Sequence, residues 1–422
     1  MAVRRLDESP WEKSPMEESS IEESSIEESS IEKHPLKKSL DKKTDAKLRD
    51  FAGSLETLIT RSTALPDGAL RWTIIANPSA GGFTINRRWK AHKMVLDRCG
   101  EAVRQNRLRP DAQPSRCVLP ENPGGWGSFG LVPTGSPGDA MALTQALIAE
   151  ARGNGDFYLI ITAGGDGTSL EVLQALYKAP GSFRSRCAVL RLPLGTGNDG
   201  ADAWDLETAL ERLIRPSRIE MVRGLTLSTA AGKTWPGGNP LLAFNILSLG
   251  LDAFVTHMTN KMKGSLPGDS YKLWVNIAAL LYDRLYRVDE MELRGFCQGR
   301  EVTRFREKIL LCAMGVSGRR SYGSHKMILP DERNVCAVKQ MPLFRKILLK
   351  GLFTTGAHVD KPESMLFNAD RIELRGSRPV LAQMDGETVL LGPEDFPAVI
   401  ELTEPVIPVL RPLATAPEKT GS

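Results

Sequence analysis

Apolar residues in the middle of the chain occur in short runs, and these runs alternate with stretches of helical spacing. Three such runs cover residues 71–76, 158–163 and 188–192, and each leads into small or glycine-rich residues. A segment with helical periodicity follows each of these turns. This alternation is typical of parallel strands whose connecting helices cover both faces of a sheet. The pattern therefore predicts an α/β domain.

Two further segments belong to this first part of the chain. Apolar residues between Leu48 and Leu58 recur at helical spacing and predict a short amphipathic helix. Residues 106–137 are rich in Pro, Gly and Arg, which predicts a surface insertion that closes with a short strand around residues 129–132. We expect the α/β domain to span residues 46–218.

The hydrophobic pattern changes after residue 218. Short apolar runs then follow one another at residues 243–249, 308–314, 335–338, 371–374 and 380–384. One predicted helix, roughly residues 271–286, interrupts them. Such a succession of short runs is typical of antiparallel sheets, so we expect a mainly antiparallel β-sandwich over residues 219–402. Residues 403–415 are expected to return to the first domain.

The first 40 residues differ from the rest in charge and complexity. They contain six Lys/Arg against ten Asp/Glu, whereas the whole chain has a formal net charge of +4. Residues 16–33 repeat an SSIEE unit whose isoleucines follow neither the helical nor the strand period. We therefore expect residues 1–45 to form a disordered acidic, Ser-rich tail. A solvating role and a docking motif both fit that composition.

Composition excludes several classes of protein. The most apolar run, residues 241–255, is interrupted by Asn245 and Asp252, so we expect no membrane-spanning helix, and the start of the chain lacks the apolar core of a signal peptide. The six cysteines lack metal-ligand spacing, which favours reduced thiols and a cytoplasmic location. The weak basic bias, without interleaved aromatic residues, argues against nucleic acid and suits phosphates or an anionic membrane face.

Three loops of small residues at predicted strand ends carry the chemistry. They are Asn77-Pro78-Ser79-Ala80-Gly81-Gly82, Gly164-Gly165-Asp166-Gly167-Thr168 and Leu194-Gly195-Thr196-Gly197-Asn198-Asp199. Glycines let a phosphate approach the backbone, and a following helix N-terminus presents unpaired N–H donors. Asp166 would repel a bare phosphate, so it indicates either an intervening cation, such as Mg²⁺ on a nucleotide, or a proton-transfer role. Each loop alone fits an ordinary turn, but three in the same context predict a nucleotide site.

The order of these loops resembles the catalytic domain of diacylglycerol kinases and of their bacterial and sphingosine kinase relatives. The motifs are NPSAGG at residues 77–82, GGDGT followed by Glu171, and LPLGTGND at residues 192–199. The resemblance continues with Phe244-Asn245, Gly250, Asp252 and Ala253 and with Met384-Asp385-Gly386-Glu387, and it covers roughly residues 70–405. NAD kinases and phosphofructokinases share only the GGDG element.

This resemblance implies a two-domain lipid kinase with ATP and Mg²⁺ in the cleft between an NAD kinase- or phosphofructokinase-like α/β domain and an antiparallel sandwich. Magnesium would be held by Asp166, Asp199 and Glu220, although the family usually has Asp at the last position. The residues that would line the nucleotide are Asn77, Pro78, Ser79, Gly81, Thr134, Gly164, Gly165, Asp166, Gly167, Thr168, Glu171, Gly195, Thr196 and Asn198.

The resemblance also implies which residues act on the lipid hydroxyl. A general base has to lie within hydrogen-bond reach of that hydroxyl. Asp385 and Glu387 match the family's essential pair, and Asp166 completes the predicted catalytic set. From the residues alone, Met384-Asp385-Gly386-Glu387 is equally a hairpin turn of the Asp-Gly type.

Several positions depart from the family pattern. Leu170 replaces the usual Asn, and Gly200 and Asp202 replace the Phe and Arg that commonly follow the ND pair. Residues 321–324 stand where many relatives have three glycines, and residues 330–335 lack the usual DG. We therefore do not expect here the structural magnesium that some bacterial relatives hold near that second segment.

The expected partners are ATP and a lipid at a membrane surface. Residues 343–353 are apolar with basic residues on one side, which fits either contact with that surface or packing against the second domain. The expected location is cytoplasmic, with peripheral contact to the inner face of the membrane, and homodimer formation is left open. Two other functions fit parts of the sequence: an NAD kinase-like soluble-metabolite kinase and a catalytically silent lipid- or nucleotide-binding protein.

Overall fold

The structure is a computed structural model that describes residues 40–61, 70–104, 115–116, 130–195, 198–215, 217–235, 240–263, 282, 288–322 and 326–413. The predicted tail up to residue 39 lies outside these residues, as does the helix predicted over residues 271–286 apart from Tyr282. Residues 42–45, expected in the tail, form the first turn of helix α1 (Lys42–Arg61). This turn forms because the Asp41 carboxylate accepts hydrogen bonds from the N–H groups of Lys43 and Thr44.

The first sheet has seven strands. They are β1 (Leu70–Ala76), β2 (Ser115–Arg116), β3 (Leu131–Pro133), β4 (Phe157–Gly164), β5 (Cys187–Pro193), β6 (Ser217–Val222) and β20 (Ile407–Pro412). Their order is β2-β1-β4-β5-β20-β6, with β3 paired to β1. All pairings are parallel except that of β6 with β20. The carboxyl ends of β1, β4 and β5 therefore meet at one edge of the sheet.

Helices cover both faces of this sheet. Besides α1 they are α2 (Gly81–Thr84), α3 (Asn86–Arg104), α4 (Asp139–Glu150), α5 (Asp166–Lys178), α6 (Gly181–Arg184) and α7 (Leu206–Ile214). Alternate residues of a strand point to opposite faces. On β4, Leu159 and Ile161 join the core beneath α1, α3 and α7, whereas Ile160 joins the core beneath α4, α5 and α6. The predicted parallel α/β domain is confirmed.

The strands between β6 and β20 are antiparallel. They are β7 (Leu225–Ser228), β8 (Leu241–Ala243), β9 (Ile246–Gly250), β10 (Glu290–Cys297), β11 (Arg300–Gly315), β12 (Arg320–Tyr322), β13 (Lys326–Leu329), β14 (Val335–Lys339), β15 (Ser364–Phe367), β16 (Arg371–Arg375), β17 (Val380–Met384), β18 (Glu387–Leu391) and β19 (Ala398–Leu402). β12 and β13 form a separate pair. The others form one 11-stranded sheet in the order β18-β17-β9-β11-β10-β16-β19-β7-β8, with β14 and β15 joined beside β11.

This second sheet curls over its own core. Leu225 and Leu241, near one end of the strand order, share a buried cluster with Met384 and Leu391 from the other end. Helices α8 (Leu251–Lys263) and α9 (Leu343–Thr355) pack on a second buried cluster. The predicted antiparallel second domain is confirmed, and its layers belong to one continuous sheet.

The chain returns to the first sheet near its end. β20 lies between β5 and β6, and β6 continues to Val222, beyond the boundary predicted at residue 218. Both sheets belong to one compact unit. Over the described ranges, no helix has the length and apolar character needed to cross a membrane.

Candidate active site

Three loops meet at the carboxyl ends of β1, β4 and β5. The Asn77 N–H donates to the Ala163 carbonyl at 3.0 Å, and the Gly82 N–H donates to the Leu194 carbonyl at 2.8 Å. The Leu194 N–H in turn donates to the Gly164 carbonyl at 3.2 Å. These backbone hydrogen bonds hold the three glycine-rich loops side by side, as expected for the ends of neighbouring parallel strands.

Two glycines are required by how closely these loops approach their neighbours. A Cβ on Gly82 would lie 2.9 Å from the Leu194 carbonyl oxygen, and one on Gly164 would lie 2.6 Å from the Thr168 Oγ1. Neither position has space for a methyl group. The glycines therefore let the loops close tightly around the start of α5, where the first turn of a helix leaves backbone N–H groups without intrahelical partners.

The first and second sheets meet in a cavity of about 40 Å³. From the first domain it is lined by Asp166, Asp199 and Gly200. From the second domain it is lined by Asn245, Ile246, Asp385 and Gly386. The structure thus brings together carboxylates from the GGDGT loop, the LGTGND loop and the DGE segment.

Gly200 contributes backbone to this cavity. Its N–H donates to the Asp166 Oδ1 at 2.9 Å, and a Cβ at this position would lie 3.3 Å from the same oxygen. A bulky side chain at residue 200 would therefore crowd the Asp166 carboxylate. The departure from the family's Phe at this position is compatible with the local packing.

Asp385 lies in the two-residue turn between β17 and β18. Met384 and Glu387 are paired across the turn, and both central residues have positive φ, +48° at Asp385 and +101° at Gly386. Two-residue hairpin loops with positive φ at both positions favour Asp-Gly. The segment is therefore a hairpin turn, and this turn also carries Asp385 into the cavity.

The Asp385 carboxylate is held by backbone donors. Its oxygens accept hydrogen bonds from the N–H groups of Phe244, Asn245 and Ile246. The strand predicted over residues 243–249 is wrong at this point, because β8 ends at Ala243 and β9 begins at Ile246. The break frees the N–H groups of the two intervening residues from a strand ladder, and they bind the carboxylate instead.

Burial raises the pKa of Asp385 to about 6. The N–H donors at Phe244 and Ile246 act in the opposite direction, while the negative charge of Asp166 adds to the increase. Although part of the residue faces the cavity, its carboxylate is surrounded by protein groups. Asp385 is therefore a carboxylate that protonates more readily than an exposed one.

Glu387 reaches from the same hairpin toward the GGDGT loop. A Cβ on Gly167 would lie 3.8 Å from the Glu387 Oε1. Burial, followed by the negative charge of Glu171, raises the pKa of Glu387 above its ordinary value. Within the described ranges, no hydrogen bond to its carboxylate is formed, in contrast to Asp385.

Helix α8 supports the hairpin from outside. The Asn260 Nδ2 donates to the Gly386 carbonyl at 2.8 Å, and the His257 Nδ1 forms a hydrogen bond with the Thr388 Oγ1 at 3.2 Å. These contacts restrict the turn on both sides of Glu387. His257 therefore has a structural role.

The structure does not bring Glu220 to the other predicted magnesium ligands. Glu220 lies opposite Val409 of β20, which lies opposite Val189 in the middle of β5. The carboxyl end of β5 is roughly 13 Å further along, at about 3.3 Å per residue. The Glu220 carboxylate instead pairs with Arg218 at 3.2 Å. The predicted ligand set is therefore reduced to Asp166 and Asp199.

Asp166 and Asp199 suit a magnesium ion that arrives with a nucleotide. In the part of the chain that is described, no group of three or more His, Cys, Asp or Glu side chains is arranged to hold a metal by itself. Mg²⁺ is usually bound by one or two carboxylates together with substrate phosphates and water. Two carboxylates at one cavity beside a backbone-rich loop fit that mode of binding.

The Glu171 side chain is held by the N-terminus of α4. Its carboxylate accepts hydrogen bonds from the N–H groups of Gly138, Ala140 and Met141, at 2.8, 3.0 and 3.4 Å. A carboxylate at this place caps the N-terminus of α4 and is favoured by the helix dipole. Glu171 therefore anchors α4 next to α5 through its carboxylate.

The remaining predicted nucleotide residues lie on the strand-end loops. The Asn77 Oδ1 accepts from the Ser79 N–H at 2.9 Å, and the Asn198 Oδ1 accepts from the Gly195 N–H at 2.8 Å, so both amides shape their own loops. The Thr134 N–H donates to the carbonyl at the end of β1. Pro78, Gly81, Gly165 and Gly167 lie in the same loops, and Thr196 lies outside the described residues.

Two arginines next to the cavity were missed by sequence reasoning. Arg191 is buried on β5 and donates from its Nη2 to the Asp202 Oδ1 at 3.1 Å. The half-buried Arg320 donates to the Asn245 Oδ1 at 3.3 Å. The Asp at position 202, where the family has Arg, therefore has an ion-pair partner in Arg191 of β5. A charged residue inside the apolar run 188–192 was the available signal for Arg191, because such residues are rarely buried without a role.

The other departures have structural explanations where they are described. Leu170 is buried in the core beneath α4, α5 and α6. Ser321 is buried, and its carbonyl accepts from the Asn245 Nδ2 at 3.5 Å. Asp331 pairs with Arg333 within its own turn.

Comparison with known proteins adds the family. Residues 71–225 match the family model of the diacylglycerol kinase catalytic domain. This part of the chain is similar to that catalytic domain. The predicted recognition is confirmed, and a catalytic domain of this family indicates a kinase.

Curated relatives have consistent descriptions. A probable lipid kinase YegS-like protein of Pseudomonas fluorescens is 28% identical over 267 residues, covering 60% of this chain and 75% of the relative. A protein of the same description from Enterobacter sp. is 24% identical over 231 residues, covering 54% of this chain and 71% of the relative.

Solved structures show weaker likeness. A diacylglycerol kinase from Bacillus anthracis is 13% identical with a TM-score of 0.45 and covers 82% of this chain and 98% of that one. Yeast NADH kinase complexed with NADH is 13% identical with a TM-score of 0.35, covering 83% and 86%. Because both TM-scores are below 0.5, the fold assignment is based on the strand order described above.

Proposed function

We propose that the chain is an ATP-dependent lipid kinase that transfers the γ-phosphate of Mg-ATP to a hydroxyl of a diacylglycerol-like or sphingosine-like lipid. The catalytic domain and the descriptions of the relatives support the reaction class. The observation that carries the proposal is the shared cavity of Asp166 and Asp199 from the first domain with Asp385 from the second. A phosphate donor on one side and an acceptor hydroxyl on the other would meet there.

The loops of the first domain supply the donor side. The N–H groups of Asn77, Gly82 and Leu194 donate to carbonyls of neighbouring strands and loops. These bonds fix the loop backbones, so other N–H groups of the loops need little rearrangement to receive a polyphosphate. Asp166 and Asp199 would hold Mg²⁺, which neutralises charge on the phosphates when it is bound. Positioning and charge neutralisation then supply most of the expected rate enhancement.

Within the hairpin, Glu387 fits the role of general base better than Asp385 does. The Asp385 oxygens are already occupied by three backbone N–H groups, so protonating this carboxylate would weaken bonds that hold the turn. The Glu387 carboxylate faces the GGDGT loop, and burial raises its pKa toward the working range of a base. We assign Glu387 to proton abstraction from the lipid hydroxyl and Asp385 to positioning.

The test of the function is phosphoryl transfer from radiolabelled ATP to a panel of diacylglycerol, sphingosine, ceramide and NAD in the presence of Mg²⁺. Labelled lipid is the expected product. Labelled NAD alone would instead establish the soluble-metabolite kinase. Absence of transfer, together with binding of ATP or lipid, would establish a silent binding protein.

Helix α9 supports contact with a membrane. Leu343, Phe344, Ile347 and Leu348 are 47%, 76%, 53% and 51% exposed and follow one helical face. Arg345 on this helix pairs with Glu363, so its charge is partly used within the protein. An exposed apolar face of this kind is typical of protein or membrane interaction sites. For a kinase with a lipid substrate, we propose that this face, called the α9 face, inserts into the bilayer surface.

Sedimentation with phosphatidylglycerol-containing vesicles tests the α9 face. Phe344→Asp is expected to reduce the bound fraction several-fold, because a charged side chain then enters the interface. Met94→Asp, at a position on α3 that is 70% exposed, is the matched control and should bind like the wild type. Equal binding of the two variants would exclude the α9 face as the membrane contact.

A further inference from the structure

A group of arginines lies behind the carboxylates of the cavity. Arg191 on β5 and Arg411 on β20 pair with Asp202, and Arg320 on β12 interacts electrostatically with both arginines and with Asp202. We call these three residues the arginine cluster. Charged side chains are rarely brought together in a protein interior unless each has a partner. The three arginines differ in how completely they are paired.

Arg191 is incompletely paired although it is buried. It is 6% exposed, and its Nη2 bonds the Asp202 Oδ1 at 3.1 Å. Its Nε is buried and, over the described ranges, has no hydrogen-bond partner. A Cβ on Gly200 would lie 4.0 Å from the Arg191 Nη1 and 3.3 Å from the Asp166 Oδ1. Arg191 therefore reaches the cavity from beneath Gly200, close to the Asp166 carboxylate.

Arg320 approaches the same cavity from the second domain. Its Nη1 donates to the Asn245 Oδ1 at 3.3 Å and its Nε to the Ser317 Oγ at 3.0 Å. Both acceptors are neutral, and among the described residues no carboxylate forms an ion pair with Arg320. Asn245 itself lines the cavity. Arg320 is thus a half-buried cation that touches the cavity wall.

The arginine cluster carries an excess of positive charge. Asp202 is shared between Arg191 at 3.1 Å and Arg411 at 3.8 Å, so one carboxylate serves two cations. The nearby Asp385 carboxylate is occupied by backbone N–H groups. Burial and, after it, the charges of Arg191 and Arg411 lower the pKa of Arg320 to about 10, while the charges of Asp385 and Asp202 act in the opposite direction. An additional anion at this position would relieve the repulsion among the three arginines.

We propose that Arg191 and Arg320 form a binding site for a phosphate monoester at the inner end of the cavity. This inference rests on the proposed function and adds the residues that hold the transferred group. Guanidinium groups bind phosphate through paired, charge-assisted hydrogen bonds. The phosphate would lie between the arginines on one side and Asp166 and Asp199, with their metal ion, on the other.

Such an arrangement has a direct effect on phosphoryl transfer. Negative charge spreads over the oxygens of the transferring group, and a fixed cation beside it stabilises that charge. Carboxylates alone would repel the group, so the cavity needs cations from both the metal and the protein. Arg191 and Arg320 supply the protein cations from a buried and a half-buried position, not from the flexible surface.

Binding of inorganic phosphate to the whole protein tests the site without catalysis. Phosphate is expected to raise the Tm of the wild type by about 2–4 °C. Arg320→Gln should lose this shift, because the amide has no positive charge with which to bind phosphate, whereas the hydrogen-bond acceptors of Arg320 within the protein, Asn245 and Ser317, are neutral. Arg319→Gln is the matched control: Arg319 is exposed, pairs with the exposed Glu332 and should leave the shift unchanged.

A second variant addresses Arg191 without leaving Asp202 unpaired. Arg191→Lys keeps a cation for Asp202 but removes the planar pair of donors, so phosphate should bind more weakly than in the wild type. Absence of a phosphate shift in the wild type would overturn the proposal. A full shift in Arg320→Gln would overturn it as well.

The phosphate could come from ATP or from the phosphorylated lipid, and two binding measurements separate these sources. Affinity for a non-hydrolysable ATP analogue reports the γ-phosphate, and affinity for dioctanoyl phosphatidic acid reports the product. Loss of either in Arg320→Gln supports the site and identifies its ligand, whereas no loss of either contradicts it.

Kinetics distinguish this inference from the proposed function. In Arg320→Gln, kcat for lipid phosphorylation should fall about 100-fold. Wild-type kcat in this variant would refute the arginine site and leave the lipid kinase intact. Failure of the wild type to phosphorylate any lipid would refute the function, while the phosphate titration would still decide whether the site exists.

Discussion

The two sides of the cavity are built in different ways. On the first-domain side, loops at the ends of β1, β4 and β5 present backbone groups, and each loop is continuous in sequence. On the second-domain side, Asp385 is held by backbone N–H groups that lie 139 to 141 positions earlier in the chain. A motif search finds the first side readily because its geometry is local. The second side exists only after distant strands have paired.

The sides also differ in what their carboxylates do. Asp166 follows a strand end and lies in the first turn of a helix, where backbone donors favour anions. Asp385 and Glu387 are separated by one residue, yet the first anchors the turn and the second faces the opposite loop. Mutations that remove single charges should therefore affect catalysis and folding to different extents on the two sides.

The largest effect is expected for Asp166→Asn. This change removes a predicted magnesium ligand, and kcat for lipid phosphorylation should fall about 1,000-fold. Asp97→Asn, on the exposed side of α3, is the control and should keep wild-type kcat. Steady-state kinetics and circular dichroism measure both variants. Wild-type turnover in Asp166→Asn would remove this carboxylate from the mechanism.

A smaller loss of activity is expected for Glu387→Gln. The amide cannot accept the lipid proton, so kcat should fall about 100-fold. Because the Glu387 carboxylate has no hydrogen bond within the described part of the chain, the free energy of unfolding should change little. Glu394→Gln is the control: Glu394 lies after the end of β18, outside the hairpin, and this variant should retain activity. Equal kcat for Glu387→Gln and the wild type would assign proton abstraction elsewhere.

Backbone packing on the first-domain side is tested by Gly82→Ala. The new Cβ would lie 2.9 Å from the Leu194 carbonyl oxygen, so the loops must move apart, and the free energy of unfolding should fall by about 1–3 kcal/mol. Gly53→Ala is the matched control, because its Cβ would contact nothing within 4 Å. In the interior of α1 this control should stabilise the protein by about 0.5–1 kcal/mol. Denaturant unfolding measures both changes, and equal stability of the two variants would contradict the close contact.

The last expected effect concerns the pH dependence of stability. The pKa of Asp385 is about 6 in the folded chain against an ordinary value of 3.8, so the folded state binds a proton more tightly between these values. Its contribution to stability is therefore fully present below about pH 4 and is lost as the pH rises through about 6.

The matched variant for this effect is Asp385→Asn, which has no charge to titrate. The difference in unfolding free energy, wild type minus variant, should decrease between pH 4 and pH 7. Urea unfolding at several pH values provides the measurement. A difference that increases over this range would mean that the backbone donors, rather than burial, dominate the pKa of Asp385.

Sequence reasoning succeeded where structure follows from short segments. Apolar runs before the glycine-rich loops predicted β1, β4 and β5, and the change of pattern after residue 218 predicted an antiparallel second domain. It was wrong at residues 243–249, because a continuous apolar run hid the break at Phe244 and Asn245. The N–H groups at this break bind the Asp385 carboxylate, which lies about 140 positions later in the chain. The sequence around Phe244 and Asn245 gives no sign of that distant partner.

The magnesium ligands show the same limit. Asp166 and Asp199 each belong to a recognisable loop, and the structure brings them together. Glu220 was placed by its position in a family pattern, but the register of β6 against β20 holds it near the middle of the sheet. Strand register depends on pairing across the sheet, which a single strand does not specify.

Sequence alone determined the class of both domains, the three phosphate-type loops and the carboxylates worth testing, because periodicity and turn chemistry act over a few residues. Only the tertiary structure decided that Asp385 is an anchor, that Glu171 caps a helix, and that Arg191 and Arg320 approach the same cavity. For Asp385, Glu171 and Arg320 these roles depend on contacts with residues more than 30 positions away. Such contacts follow from the packing of the two sheets.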